Sequence, residues 1–274
     1  MIGLILLDKP EGLTSFSAVS RIKRLAREKR VGHTGTLDPM ATGVLPILLG
    51  RATALSSLLL EGDKRYIAEI KLGITTDTDD ITGEILQENS VNITTEQLKT
   101  AVENFVGVID QTPPAYSAIK KDGVRLYKLA REGKNTEIPS RKVEIFEANI
   151  LENLNEENIF KVEFFVSKGT YIRSLARDLG ESLGYGATLY SLRRTKTSEF
   201  EIEDCVPLEN LTEENIGNHI LSEETVVSHL REIFVTEKQA IRFCNGGQLS
   251  FDRLRIPTDD FGENELFRIK HNNI

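Results

Sequence analysis

Within residues 32–46, Gly-His-Thr-Gly-Thr-Leu-Asp-Pro-Met-Ala-Thr-Gly-Val-Leu-Pro, an imidazole, two hydroxyls and a carboxylate fall within six positions: His33, Thr34, Thr36 and Asp38. The carboxylate is the most versatile of these groups, able to act as a nucleophile or as a general base. No second carboxylate stands in the motif, so the paired acids of glycoside hydrolysis are not supported locally. Pro39 pushes Asp38 away from the right-handed helical region and thereby constrains the direction of its side chain. The same spacing also suits an Asx-type turn in which Asp38 bonds only its own backbone. Gly32, Gly35, Gly43, Pro39 and Pro46 interrupt both a helix and a strand ladder. The stretch is therefore predicted to be a loop leading into the apolar run 44–49. Loops of this kind carry function on rigid scaffolds.

A second cluster, Ser-Lys-Gly-Thr-Tyr-Ile-Arg-Ser-Leu at 167–175, follows the apolar run 162–166 and opens a helical pattern. Gly169 permits close backbone approach, and a helix N-terminus favours a nearby anion. Lys168, Tyr171 and Arg173 would be aimed into a cleft from such a strand-to-helix junction. A plain helix start with Tyr171 in the core fits the same residues.

The elements that must position these groups are legible in outline. Residues 2–7 read as a buried strand, followed by a turn at 8–12 and a helix capped by Thr14 or Ser15. Phe16, Val19, Ile22 and Leu25 supply its apolar stripe, and Gly32 is predicted as its C′ residue. A buried strand at 44–49 and a helix at 52–60 come next. Tyr66, Ala68, Ile70 and Leu72 alternate with polar residues, the pattern of a half-buried strand. Residues 75–83, with Asp77, Thr78, Asp79 and Asp80, read as a loop, and 94–106 as a helix opened by Thr94 or Thr95. Residues 111–142 form a long polar segment punctuated by Pro and Gly, which marks a functional insertion. Antiparallel strands are predicted at 142–150 and 159–166, a helix at 170–183 and a strand at 187–203. The expected class is α+β with a mixed, largely antiparallel sheet. The acidic stretch 201–224 marks a boundary, and a small unit follows from about residue 230, with a helix at 237–244 and a strand near 265–270.

The net charge of −8 hides an uneven distribution. Residues 200–274 hold 15 acidic and 7 basic side chains, whereas residues 1–199 hold 27 of each. Within the latter, Arg21, Lys23, Arg24, Arg27, Lys29 and Arg30 crowd together, Lys120, Lys121, Arg125, Lys128, Arg131 and Lys134 form a second group, and Arg193, Arg194 and Lys196 a third. Local fields rather than total charge attract a polyanion, so these groups point to RNA or DNA. Cys205 and Cys244 are isolated and the four histidines are scattered, so neither a disulfide framework nor a metal site is expected. No apolar run approaches the ~20 residues of a membrane helix, and a cytoplasmic location is expected.

Seven motifs occur in order: Asp8-Lys-Pro-Glu-Gly-Leu-Thr-Ser15, residues 32–46, Lys64-Arg-Tyr66, Thr76-Asp-Thr-Asp79, Gln111-Thr-Pro-Pro-Ala-Tyr-Ser-Ala118, residues 167–175 and Leu192-Arg-Arg-Thr195. Together they resemble the TruB-type bacterial tRNA pseudouridine-55 synthases along residues 2–200. The resemblance implies the pseudouridine-synthase fold over residues 1–229, with an RNA-contacting insertion at 111–142. It also implies a small PUA-like unit over 230–274, shorter than a full PUA domain. The implied activity is isomerisation of uridine in the T-stem-loop of tRNA after base flipping, with no metal or cofactor and no guide RNA. It implies catalytic roles for Asp38, for Tyr66 stacking on the target uracil, and for Arg173 as ion-pair partner of Asp38. Tyr171 and Leu192 are expected to line the base pocket, and His33 to fill the space left by flipped nucleotides. Lys9 and Lys168, which stand in two of the motifs, are expected to contact substrate. A monomer is expected. The competing class is a non-catalytic RNA-binding protein, disfavoured because binding alone needs no buried acid facing a polyanion.

Overall fold

The structure, a computed structural model, describes residues 1–117, 138–254, 262 and 265–271, and the backbone alone at 120–121, 124–125 and 253. The described residues form two compact units, Met1–Leu221 and Ser222–Ile274, whereas the chain alone suggested a boundary at 229–230.

The first unit is built on a ten-stranded sheet. Its elements in chain order are β1 (Gly3–Lys9), α1 (Ser15–Leu25), β2 (Val31–His33), β3 (Thr42–Leu49), α2 (Ser56–Leu60) and β4 (Lys64–Leu72). Then come β5 (Ile74–Thr76), β6 (Ile85–Glu88), α3 (Thr95–Glu103), β7 (Gly107–Gln111), β8 (Lys120–Lys121), β9 (Val124–Arg125), β10 (Arg141–Glu152) and β11 (Ile159–Val166). The unit closes with α4 (Ile172–Leu183), β12 (Ala187–Thr197), β13 (Phe200–Glu201) and β14 (Val206–Pro207). The sheet order is β14-β1-β3-β12-β4-β11-β10-β7, with β13 on β12 and β2 on β3. Only β1–β14 and β12–β3 run parallel, so the sheet is mixed and largely antiparallel, as expected.

Local sequence explains most of these elements. Every second residue of β4 is buried, from Lys64 through Tyr66 and Ala68 to Leu72, the period-two signature of a strand with one face in the core. Thr94 and Gln97 form a reciprocal capping box that opens α3, and Thr14 accepts from the Ser17 amide to open α1. Gly184, at φ +78°, closes α4 in the left-handed region that a side chain disfavours.

Four expectations are corrected. Helix α1 ends at Leu25 rather than near Gly32, because Arg27 turns the chain with φ +48° and Gly32 lies inside β2. Its buried face is Ala18, Val19 and Ile22, while Phe16 is 75% exposed. The irregular part of 32–46 shrinks to 34–41, because β2 and β3 take in both ends. The helix expected at 52–60 is a 3-10 turn over Gly50–Leu55 followed by α2.

The second unit pairs β15 (Arg231–Phe234) in parallel with β16 (Phe267–Lys270). The helix Glu237–Cys244 (α5) between them is opened by a Thr236–Gln239 capping box, and a single turn at Phe251–Leu254 (α6) follows.

Candidate active site

The centre of the sheet determines where the 34–41 loop can go. Arg194 on β12 is paired in register with Tyr66 of β4 on one side and with Gly43 of β3 on the other. Gly43 has φ +105°, and a Cβ there would stand 2.1 Å from the Arg194 carbonyl oxygen, so only glycine allows the two strands to meet. The loop preceding β3 is thereby delivered beside Tyr66.

Backbone and side-chain bonds then hold the loop from below. The Ser15 hydroxyl donates to the Leu37 carbonyl and accepts from the Leu37 amide, both at 2.9 Å. The Gly12 amide donates to the Pro39 carbonyl at 2.8 Å. Arg194, 1% exposed, donates to the carbonyls of Val44 at 2.8 Å and Gly35 at 2.9 Å. Lys9 is fully buried, and its ammonium reaches the carbonyls of Pro10 (2.8 Å), Leu13 (2.7 Å) and Pro39 (3.4 Å). Burial lowers the Lys9 pKa to about 8, with the charge of Asp38 opposing the shift. Lys9 does not line the cleft: the structure makes it a support of the loop rather than a contact with substrate.

The loop presents Asp38 to Arg173. Their Oδ2 and Nε lie 3.0 Å apart. The Asx-type turn is not formed through the side chain: the Ala41 amide bonds the Asp38 backbone carbonyl at 3.1 Å, leaving the carboxylate for Arg173. Arg173 projects from the first turn of α4 and gathers two further loops. It donates to the carbonyls of Thr78 at 3.0 Å and Tyr116 at 3.1 Å, and its Nη1 lies 3.5 Å from Oδ2 of buried Asp80. The other carboxylate oxygen of Asp80 accepts from the Thr78 hydroxyl and from the amide and hydroxyl of Thr82, which fix its position. Burial pushes the Asp38 pKa up; Arg173 pulls it down, and Asp80 adds to the rise. The net shift is upward, and the guanidinium limits it by favouring the charged carboxylate.

The carboxylate opens onto a cleft of about 620 Å³ lined by Tyr66, Tyr116, Lys168, Tyr171, Arg173 and Leu192, among others. Tyr66 and Leu192 offer apolar faces from adjacent strands, and Tyr171 stands directly before α4. Gln111, quoted above only as part of a motif and given no role there, accepts from the Tyr171 amide at 2.8 Å and donates to its carbonyl at 3.0 Å, while the Arg141 guanidinium lies 4.8 Å from the Tyr171 ring centroid. An aromatic and aliphatic slot beside a charged carboxylate suits a planar heterocycle attached to a sugar. Arg173 lies between Asp38 and Asp80; among the described residues no group of three or more His, Cys, Asp or Glu side chains that could hold a metal ion occurs.

The remaining sequence candidates separate. Lys168 lies on the rim of the cleft and pairs with Glu61. His33 ends β2 outside the cleft lining; its Nδ1 is enclosed without a partner among the described residues, and burial, with Arg194, lowers its pKa and favours the neutral ring. The third basic group is corrected. Arg193 pairs with Asp8 at 2.8 Å, Arg194 is engaged internally, and Lys196 pairs with Glu201 at 2.5 Å. The side chains of the second basic group, 120–134, lie outside the described residues. Asp80 stands one residue beyond the Thr76–Asp79 motif; the run of acids there was the available signal.

The fold is that of a pseudouridine synthase. In the archaeal box H/ACA sRNP Nop10–Cbf5 complex, a chain 29% identical superposes with a TM-score of 0.68, over 90% of this chain and 68% of that one. The TruB family pseudouridylate synthase N-terminal domain matches residues 23–172, and the tRNA pseudouridylate synthase B C-terminal domain matches residues 173–235. The chain belongs to the TruB family of pseudouridylate synthases. The tRNA pseudouridine synthase B of Clostridium perfringens strain 13 is 42% identical over the whole of this chain and 92% of its own. That of Clostridium tetani is 44% identical over 98% of this chain and 92% of its own.

Proposed function

We propose that this protein isomerises uridine to pseudouridine in tRNA, at position 55 of the T-loop, on a base drawn out of its stack and without metal or cofactor. The observation that carries the reading is the 3.0 Å contact of Asp38 with Arg173 at the mouth of an aromatic slot. The relatives named for tRNA pseudouridine synthesis support the choice of substrate.

In this reading the C1′–N1 bond breaks, uracil turns within the slot, C5 bonds to C1′, and the C5 proton leaves as N1 regains one. Asp38 acts on the ribose, by attack at C1′ or by proton removal at C2′, and either role requires the ionised carboxylate. Tyr66 stacks on the uracil and lies on the side from which the C5 proton departs. Tyr171 and Leu192 bound the slot, Lys168 meets the RNA at its rim, and neutral His33 takes up space beside the opened loop. Residues 111–142 act as an RNA-contacting insertion, and the protein works as a cytoplasmic monomer on its own, with no guide RNA.

The test is tritium release from tRNA labelled at uracil C5. Release from full-length tRNA and from a bare T-stem-loop, with no other RNA added, is expected. Binding without release overturns the enzymatic reading, and release only with an added guide RNA overturns the stand-alone one.

A further inference from the structure

Helix α1 carries an exposed surface that neither the core nor the cleft uses. Phe16 is 75% exposed although it stands in the first turn of a helix whose opposite face is well packed. At 100° per residue, Phe16, Ser20, Lys23 and Arg24 share one side, with Ser17 and Arg21 flanking it. All six are exposed, and α1 contains no acidic residue. Among the described residues no ion pair engages Arg21, Lys23 or Arg24, whereas Arg27 just beyond the helix pairs with Glu213. In a chain of net charge −8, an uncompensated cationic helix face is a local field of the opposite sign.

The position of this face ties it to the cleft. Ser15, the neighbour of Phe16, is the residue whose hydroxyl grips both backbone groups of Leu37, adjacent to Asp38. The far end returns through exposed Lys29 and Arg30 into β2, which leads back to His33 and the same loop. Phe16 is thus the end of the face nearest the site, and the cations extend from it over about 12 Å of helix. A lone exposed aromatic followed by unpaired cations matches the two demands of nucleic-acid binding: a ring for a base to stack on and positive charge along the backbone.

We propose that this face of α1 is an RNA-docking surface, on which an unpaired nucleotide next to the target loop stacks on Phe16 while the adjoining phosphodiesters follow Lys23, Arg24 and Arg21. The proposal rests on tRNA being the substrate, and charge complementarity favours RNA over an acidic protein as the occupant.

The experiment measures tRNA affinity by filter binding across salt concentrations, with tritium release in parallel, for the wild-type protein, Phe16→Ala, Phe16→Leu and the triple variant R21Q/K23Q/R24Q. Phe16→Ala is expected to weaken binding about tenfold and Phe16→Leu nearly as much, because bulk does not replace a stacking ring. The triple variant is expected to lower the slope of log K against log salt by about 2–3, near one for each phosphate no longer neutralised. Both effects should appear in Kd and KM rather than kcat, with unchanged melting temperatures, since these side chains lie in solvent. Unaltered affinity and salt slope overturn the proposal and leave the face to another occupant, such as an acidic protein. Wild-type turnover with unaffected variants would sink the docking surface alone. A wild type without turnover whose variants still bind more weakly would sink the catalytic reading alone.

Discussion

Asp38 and Arg173 meet at 3.0 Å with unequal exposure: the arginine side chain is 6% exposed and the carboxylate 34%. The guanidinium is the fixed member, tied to Thr78, Asp80 and Tyr116, and the carboxylate is the member a ligand can reach. A charged acid presented from a rigid cationic mount is suited to chemistry at a sugar carbon, because its direction is set before substrate arrives.

Asp38→Asn keeps the shape of the loop and removes the anion. Tritium release is expected to fall to background while tRNA affinity stays within a few-fold, read by filter binding. Appreciable turnover in this variant would show that another group does the chemistry.

Arg173→Ala is expected to cost about 2–5 kcal/mol in kcat/KM, the range for breaking a desolvated charge pair. The direction of the pH effect is separately testable. Burial raises the Asp38 pKa and Arg173 lowers it, so loss of the guanidinium moves that pKa higher still. Because activity requires the ionised acid, the acidic limb of the kcat/KM profile shifts to higher pH, less in Arg173→Lys than in Arg173→Ala.

Asp80→Asn acts on the same pair with the opposite sign. Its charge contributes to raising the Asp38 pKa, so its removal shifts the acidic limb to lower pH. Arg173 also loses the anion 3.5 Å from its Nη1, which is expected to reduce kcat/KM several-fold. A limb moving to higher pH would contradict the arrangement of the three side chains.

Lys9→Met tests the support beneath the loop. Three carbonyls lose a donor, at a cost of about 1–3 kcal/mol in stability and roughly 3–10 °C in Tm by calorimetry. The ammonium also helps hold Asp38 ionised, so the acidic limb should move to higher pH. A variant with wild-type Tm would mean that the buried ammonium does not hold the loop.

Periodicity and capping are local, and they were legible from the chain. The alternation around Tyr66 gives β4, Thr94 marks the start of α3, and the apolar runs near 145 and 162 pair as β10 and β11. Motif order along residues 2–200 was enough to identify the family, and the motifs held Asp38, Tyr66, Tyr171, Arg173 and Leu192, which line the cleft together. The roles of the charges were not legible. Arg194 reads as part of a basic patch until its partners, the carbonyls of Gly35 and Val44, are brought to it by the pairing of β12 with β3. Lys9 looks like a substrate contact until folding encloses it among three carbonyls, and Asp80 looks like one loop acid among several until α4 brings Arg173 beside it. Phe16 fits an apolar stripe by spacing, yet the helix turns it to solvent. A sequence pattern records which residues need burial or a turn, but whether a charge faces ligand or a buried partner depends on contacts between distant segments, and only the tertiary fold supplies them.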